Sequence, residues 1–239
     1  MISARPARTT LGLLALLALV TVAAGLGAAR AGASHRSGGV QSLVGVFKLT
    51  KGTFAGGAAH GSYFRMVYPG GTIKSGKFFR NPDSTSSDKT YTLVSPGTAG
   101  GLSTAALQPG PKVAFDAKGD SRAGAIIAPA KFNAIAFGLS TLARDPKGGP
   151  TIPAPSIQVT NGKLSGQVES VFASWNKLYF NQGSPKPGGA KPGLTSAVTG
   201  TYDKQTGAFV LTWASAVVGG PFNGFTGYWH LQGTFVAGK

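Results

Sequence analysis

This 239-residue sequence predicts an all-β protein, an antiparallel sandwich or barrel with long Gly/Pro-rich loops. Two features carry that expectation. Short runs of β-branched and aromatic residues recur along the chain, each stopped by Gly, Pro, Asn or Asp. Near the C-terminus, 225–235 (FTGYWHLQGTF) alternates apolar and polar residues with the period-two pattern of a strand.

The elements follow in chain order. Residues 1–33 read as a secretory signal peptide: Arg5 and Arg8 precede the uncharged run 11–29 (LGLLALLALVTVAAGLGAA). Ala29-Arg30-Ala31 and Ala31-Gly32-Ala33 then supply small-residue cleavage patterns. The run is also long enough to serve, uncleaved, as an N-terminal anchor. A flexible lead-in is expected over 34–42, and a single β-rich domain over 43–239.

Strands are expected at 43–49, 61–68, 72–79, 89–94, 112–116 and 156–160, and over 163–180 with one interruption. Further strands are expected at 196–202 and 208–213, with a long one through 225–235. The hairpin TSAVTGTYDKQTGAFVLTW is the best defined, with Asp203 to cap its turn and Gly207 to take positive φ. Phe209, Leu211 and Trp213 share one face of its second strand.

The stretch 130–143 (AKFNAIAFGLSTLA) carries two periods. Phe132, Ile135, Ala136, Leu139, Leu142 and Ala143 fall at helical spacing behind Pro129, so a short helix is expected here. Asn133, Ile135, Phe137 and Leu139 alternate as a strand would, which is the competing reading. Loops are expected at 95–111, 145–155 and 181–194, where Gly and Pro oppose regular pairing.

Composition narrows the chemistry. There is no cysteine, hence no disulfide framework, thiolate nucleophile or acylation site. The net charge is +16; losing residues 1–33 removes three arginines and no acid, leaving +13. Such a basic exported chain is suited to retention on an anionic cell-wall polymer or polysaccharide. Nucleic acid is not expected as a partner, because export and scarce arginine both argue against it. Membrane contact is expected only through an uncleaved signal segment.

Catalytic patterns are few. Gly71, Gly76 and Lys77 fit a phosphate-loop spacing, but Phe78 stands where Ser or Thr must hold magnesium. Asp116 and Asp120 flank Gly119 without the oxygen density of a calcium loop, and read as a capped turn. Glu169, on an expected strand beside apolar neighbours, is the one acid singled out; most of the others lie in turn-like contexts where capping is sufficient. No G-x-S-x-G elbow occurs, and His35, His60 and His230 are the only histidines. Zinc needs three or four ligands, which this set does not provide, and no metal or other cofactor is expected. Tyr63, Tyr68, His60 and His230 are the only residues that would suit a haem, and their spacing does not specify one.

By parity, Phe225, Gly227, Trp229, Leu231, Gly233 and Phe235 share the apolar face of the last strand, and GGPFNG before it is a turn. Its polar face leaves Tyr228, His230 and Gln232 as candidate ligand-binding residues, joined by His60 and Tyr63. The expected function is non-enzymatic binding or a structural role in the cell envelope or extracellular matrix. Two alternatives stand beside it: a β-barrel holding a small apolar or aromatic ligand, and a hydrolase or isomerase with an unrecognised site around Glu169, His60 or His230.

Overall fold

The computed structural model describes residues 39–183 and 196–238. The expected signal segment and most of the 181–194 loop lie outside these residues. Among the described residues the regular structure is entirely β, and no helix is long and apolar enough to cross a membrane.

The first nine strands are β1 (Gln41–Ser42), β2 (Gly45–Leu49), β3 (Thr53–Ala55), β4 (Ala58–His60), β5 (Tyr63–Val67), β6 (Thr92–Leu93), β7 (Ser95–Pro96), β8 (Gly101–Ser103) and β9 (Ile127–Ala128). Next come β10 (Ala130–Phe132), β11 (Ile135–Thr141), β12 (Ser156–Thr160), β13 (Lys163–Gln167) and β14 (Val171–Trp175). The last are β15 (Leu178–Asn181), β16 (Val198–Tyr202), β17 (Ala208–Ala216) and β18 (Thr226–Ala237).

Ten strands form one antiparallel sheet in the order β1-β12-β13-β16-β17-β18-β2-β8, with β5 added to β18 and β6 to β5. The segment 41–49 pairs with β12 through its first residues and with β18 through its last, so the sheet curls back on itself. A second sheet, β10-β11-β14-β15, and two ribbons, β3-β4 and β7-β9, complete the ladder structure.

The twelve-residue β18 organises the large sheet. One edge pairs with β17, while the other forks: Thr226–His230 pair with β5, and Gly233–Ala237 with β2. At the fork the Gln232 carbonyl accepts hydrogen bonds from the Thr50 amide (2.7 Å) and the Ser62 hydroxyl (3.1 Å). The Gln232 amide in turn donates to the Ser62 oxygen (3.1 Å). Ser62 is fully buried, so its hydroxyl replaces the ladder bonds that the diverging strands no longer supply. Gly233 is required beside it, because a Cβ there would stand 1.8 Å from the Lys48 carbonyl oxygen.

The core lies where the two sheets face each other. Phe132, Phe137, Leu139 and Trp175 of the smaller sheet join Phe64, Leu211, Trp229 and Leu231 of the larger in one apolar cluster. Aromatic geometry ties the layers: Phe64 lies 5.7 Å from Phe132 and 5.8 Å from Phe137, and Trp229 lies 6.0 Å from Phe137 while stacking within its own sheet on Trp213 at 5.7 Å. Each such buried ring contributes roughly 2–3 kcal/mol of apolar transfer free energy. On β18 the apolar parity holds, with Trp229 and Leu231 buried and Phe235 at the cluster's margin, joined there by Phe225 just before the strand. Along β17, Phe209, Leu211 and Trp213 are all buried, and Asp203 Oδ1 accepts the amides of Gln205 and Thr206 to close the preceding turn.

The expected helix over 130–143 is corrected to a β-hairpin, β10–β11. Asn133 and Ala134 take φ of +51° and +69°, the two left-handed residues of a tight hairpin turn. Side chains from elsewhere in the chain hold that turn. The Asn133 amide donates to Asn81 Oδ1 (3.0 Å), and the Ala134 amide to Asp83 Oδ2 (2.7 Å). Pairing sets Phe132 against Ile135 and brings Phe132 and Phe137 together against Phe64, a gain that local helical spacing does not offer.

Other boundaries move for similar local reasons. Residues 72–79 form turns in which Thr72 and Ser75 bond each other's backbone, and Phe78 alone bridges to Val67. Residues 112–116 keep a single bridge, Phe115 to Ser121, because Asp116 Oδ1 accepts the Asp120 amide and tightens the chain into a turn. The 163–180 run is broken twice, into β13, β14 and β15. Glu169 sits in the first of these breaks, its amide donating to Gln167 Oε1 (2.8 Å), and is not strand-borne. Gln41 and Ser42 pair with Val159 and Gln158 rather than trailing as lead-in, and the 95–111 loop contains β7 and β8.

Candidate functional site

The β5–β18 pairing builds a row of polar aromatics on the face of the sheet turned away from the core. Alternation sends Phe64 and Met66 inward, leaving Tyr63 and Arg65 on the other side. Antiparallel register then sets Tyr63 opposite His230 and Arg65 opposite Tyr228. The Tyr63 and His230 rings stack at 4.5 Å with an interplanar angle of 4°. Tyr91 meets Tyr63 edge-on at 5.1 Å, and Phe54 lies 5.7 Å beyond Tyr91.

Arg65 is the charge within this row. Its guanidinium carbon lies 3.1 Å from the Phe78 ring centroid and 4.0 Å from that of Tyr91, so the cation sits between two aromatic faces. Nη2 donates to Thr90 Oγ1 (2.7 Å), which donates onward to Asp88 Oδ2 (2.7 Å). Asp88 also accepts the Thr90 amide (3.0 Å) and the Ser86 hydroxyl (2.9 Å).

Burial dominates the electrostatics. It pushes the Tyr63 hydroxyl up to about 12, with Tyr228 and Tyr91 adding to the rise. Tyr228 is raised by the same cause, partly offset by its hydrogen bond with Thr212. His230 is lowered by burial, so its imidazole is neutral at pH 7. Arg65 is lowered by burial too, while neighbouring tyrosines and Asp88 support its charge. Burial alone would raise Asp88, but the Thr90 amide and the Thr90 and Ser86 hydroxyls outweigh it and hold the carboxylate low. The row therefore sets one cation, linked through Thr90 to the Asp88 carboxylate, among neutral rings suited to stacking.

Of the sequence-derived candidates, Tyr63, Tyr228 and His230 come together on this face. Gln232 ends the row at the fork, its Oε1 accepting the Gly61 amide (3.2 Å). His60 lies exposed on the β3–β4 ribbon opposite Thr53, apart from the stacked rings. Arg65, Phe78, Thr90 and Tyr91 were not singled out by sequence. Tyr63 and Arg65 share strand parity, a usable signal, but only the pairing of β5 with β18 shows what they face.

Several of the aspartates hold backbone amides or buried side chains. Asp83 and Asp120 hold the amides of Ala134 and Ala136, Asp116 that of Asp120, and buried Asp145 accepts from Asn181 Nδ2 (2.7 Å). Among the described residues, no three His, Asp or Glu side chains gather as metal ligands would. The chain matches no protein-family model, no curated protein and no solved structure.

Proposed function

We propose that this chain is a non-enzymatic binding protein of the cell envelope or extracellular matrix, and that it takes an anionic polysaccharide or cell-wall polymer on the Tyr63–His230 row. The observation that carries the reading is Arg65, a half-buried cation held between Phe78 and Tyr91 in line with stacked rings. Sugar C–H faces carry partial positive charge and lie favourably on the negative faces of aromatic rings. A guanidinium complements the carboxylate or phosphate of an acidic polymer. The net charge of +13 left after loss of the signal-like residues 1–33 adds long-range attraction, and those residues would deliver the protein to such polymers.

Retention on immobilised polygalacturonate, with neutral dextran as control, tests the reading. The chain should bind the polyuronate and be released as salt rises from about 0.05 to about 0.3 M. Tyr91→Ala and His230→Ala should each weaken retention severalfold while remaining folded. Equal retention of both variants would assign binding to scattered lysines and remove the row from the account. Retention unchanged across salt would count against an electrostatic ligand altogether.

A further inference from the structure

A second site lies inside the molecule, independent of the outer row. A cavity of about 50 Å³ lies between the two sheets, walled by Phe64 and Trp229 of the larger sheet, by Phe137, Trp175 and Phe180 of the smaller, and by Phe222 of the β17–β18 connection. Its wall contains no titratable side chain. The two polar side chains that reach it are engaged already. Gln182 accepts from Trp229 Nε1 (2.8 Å) and donates to the Phe180 carbonyl (2.8 Å), while Ser215 Oγ donates to the Asn181 carbonyl (3.2 Å). A charged occupant would find no counter-charge there, which restricts the ligand to an uncharged apolar molecule.

Phe222 sets the cavity's size. It is the one lining aromatic carried by a turn, the Gly219–Gly224 connection between β17 and β18, while the other lining aromatics stand on strands. Its ring is buried in a cage of Phe79 (5.2 Å), Phe132 (5.4 Å), Trp175 (5.4 Å) and Phe225 (5.6 Å). The cage already accepts one benzene-sized ring, that of Phe222 itself. At rest the cavity has about a third of the roughly 150 Å³ known to admit benzene in a dry protein cavity. Phe222 lines both the cage and the cavity, so displacing its ring would join the two.

We propose that this cavity binds a small, uncharged aromatic molecule, with the Phe222 ring as the movable wall whose place among Phe79, Phe132 and Trp175 the ligand ring takes. Sequence makes the test direct, because the methionines are Met1 and Met66, and Met66 lines the cavity. With ¹³C-methyl-methionine label in the full chain, benzene should shift the Met66 methyl resonance saturably, and benzoate should not. Ala173→Leu, and the milder Ala173→Val, place extra methyl groups into the cavity wall and should weaken the benzene response at least severalfold, with folding checked by thermal melts. Phe222→Ala should bind benzene at least tenfold more tightly than the native chain. The proposal is overturned if benzene leaves Met66 unmoved in the native chain up to its solubility, even where Phe222→Ala binds, since the site would then be made by truncation. A response equal for benzene and benzoate, or untouched in folded Ala173 variants, overturns it as well. None of these outcomes bears on polyuronate retention, so the two sites succeed or fail separately.

Discussion

The imidazole of His230 lies flat on the phenol ring of Tyr63, 4.5 Å away and within 4° of parallel, because antiparallel register places the two residues directly opposite. That stack joins strands distant in sequence at the point where β18 is about to change partners, and it sits half-buried. Stability and the proposed binding surface therefore share the same residues.

Removing either side of β18 should have unequal effects. Trp229→Ala deletes a buried indole that packs on Phe64 and Trp213 and should cost about 3–5 kcal/mol. His230→Ala loses a half-buried stack and should cost about 1 kcal/mol. Urea unfolding of both variants measures the difference; the reverse order would mean that the faces of β18 are assigned the wrong way round.

The two half-buried ionisable groups of this stack fix the sign of two pH dependences. His230 has its folded-state value lowered by burial, so the unfolded chain binds its proton first as pH falls. Stability should decline below about pH 6.5 on this account, the ordinary histidine value, and His230→Gln should flatten the slope. Tyr63 is raised to about 12, so here the unfolded chain loses its proton first, and stability should fall between about pH 10 and pH 12. Absorbance at the phenolate band should show delayed tyrosine ionisation in the native chain that returns to normal on unfolding, and Tyr63→Phe should remove the component that ionises near pH 12.

Gly233→Ala tests the fork. A methyl group there meets the Lys48 carbonyl, a backbone atom that cannot rotate away, so β2 must shift from β18. A loss of about 1–3 kcal/mol is expected, without a change in the aromatic stack of β5. Thermal melts, together with the exchange protection of the Gly233–Ala237 amides, would reveal whether β2 alone loosens.

Asn81→Ala should open the hairpin that replaces the expected helix. The buried Asn81 side chain donates to the Lys131 carbonyl and Thr92 Oγ1 and accepts from the Asn133 amide. Stranding these partners should cost about 1–3 kcal/mol. Amide exchange accelerated at Asn133 and neighbouring β10–β11 positions would identify the cause.

How much was legible in advance depended on the range of the interactions involved. The parity of 225–235 and the Asp203 turn rest on neighbours a few residues apart, and both read directly from residue order. The β10–β11 hairpin did not, because its turn is secured by Asn81 and Asp83, some fifty positions upstream, while the local pattern satisfied two periods equally well. Glu169 shows the same limitation: an apolar setting suggested a strand, but Gln167 caps its amide and bends the chain. For the outer row, strand parity exposed Tyr228, His230 and Gln232. Arg65 and Tyr91 required knowing that β5 takes the free edge of β18 and that the 86–91 segment folds over it.

The claim that the Tyr63–His230 row is the binding surface is tested most directly by the imidazole Cε1–H resonances during titration with oligogalacturonate. The chain has only three histidines, so assignment by single substitution is simple. The account predicts a saturable shift of His230 with His60 left in place. A shift of His60 alone, or binding that leaves His230 unmoved, would contradict it.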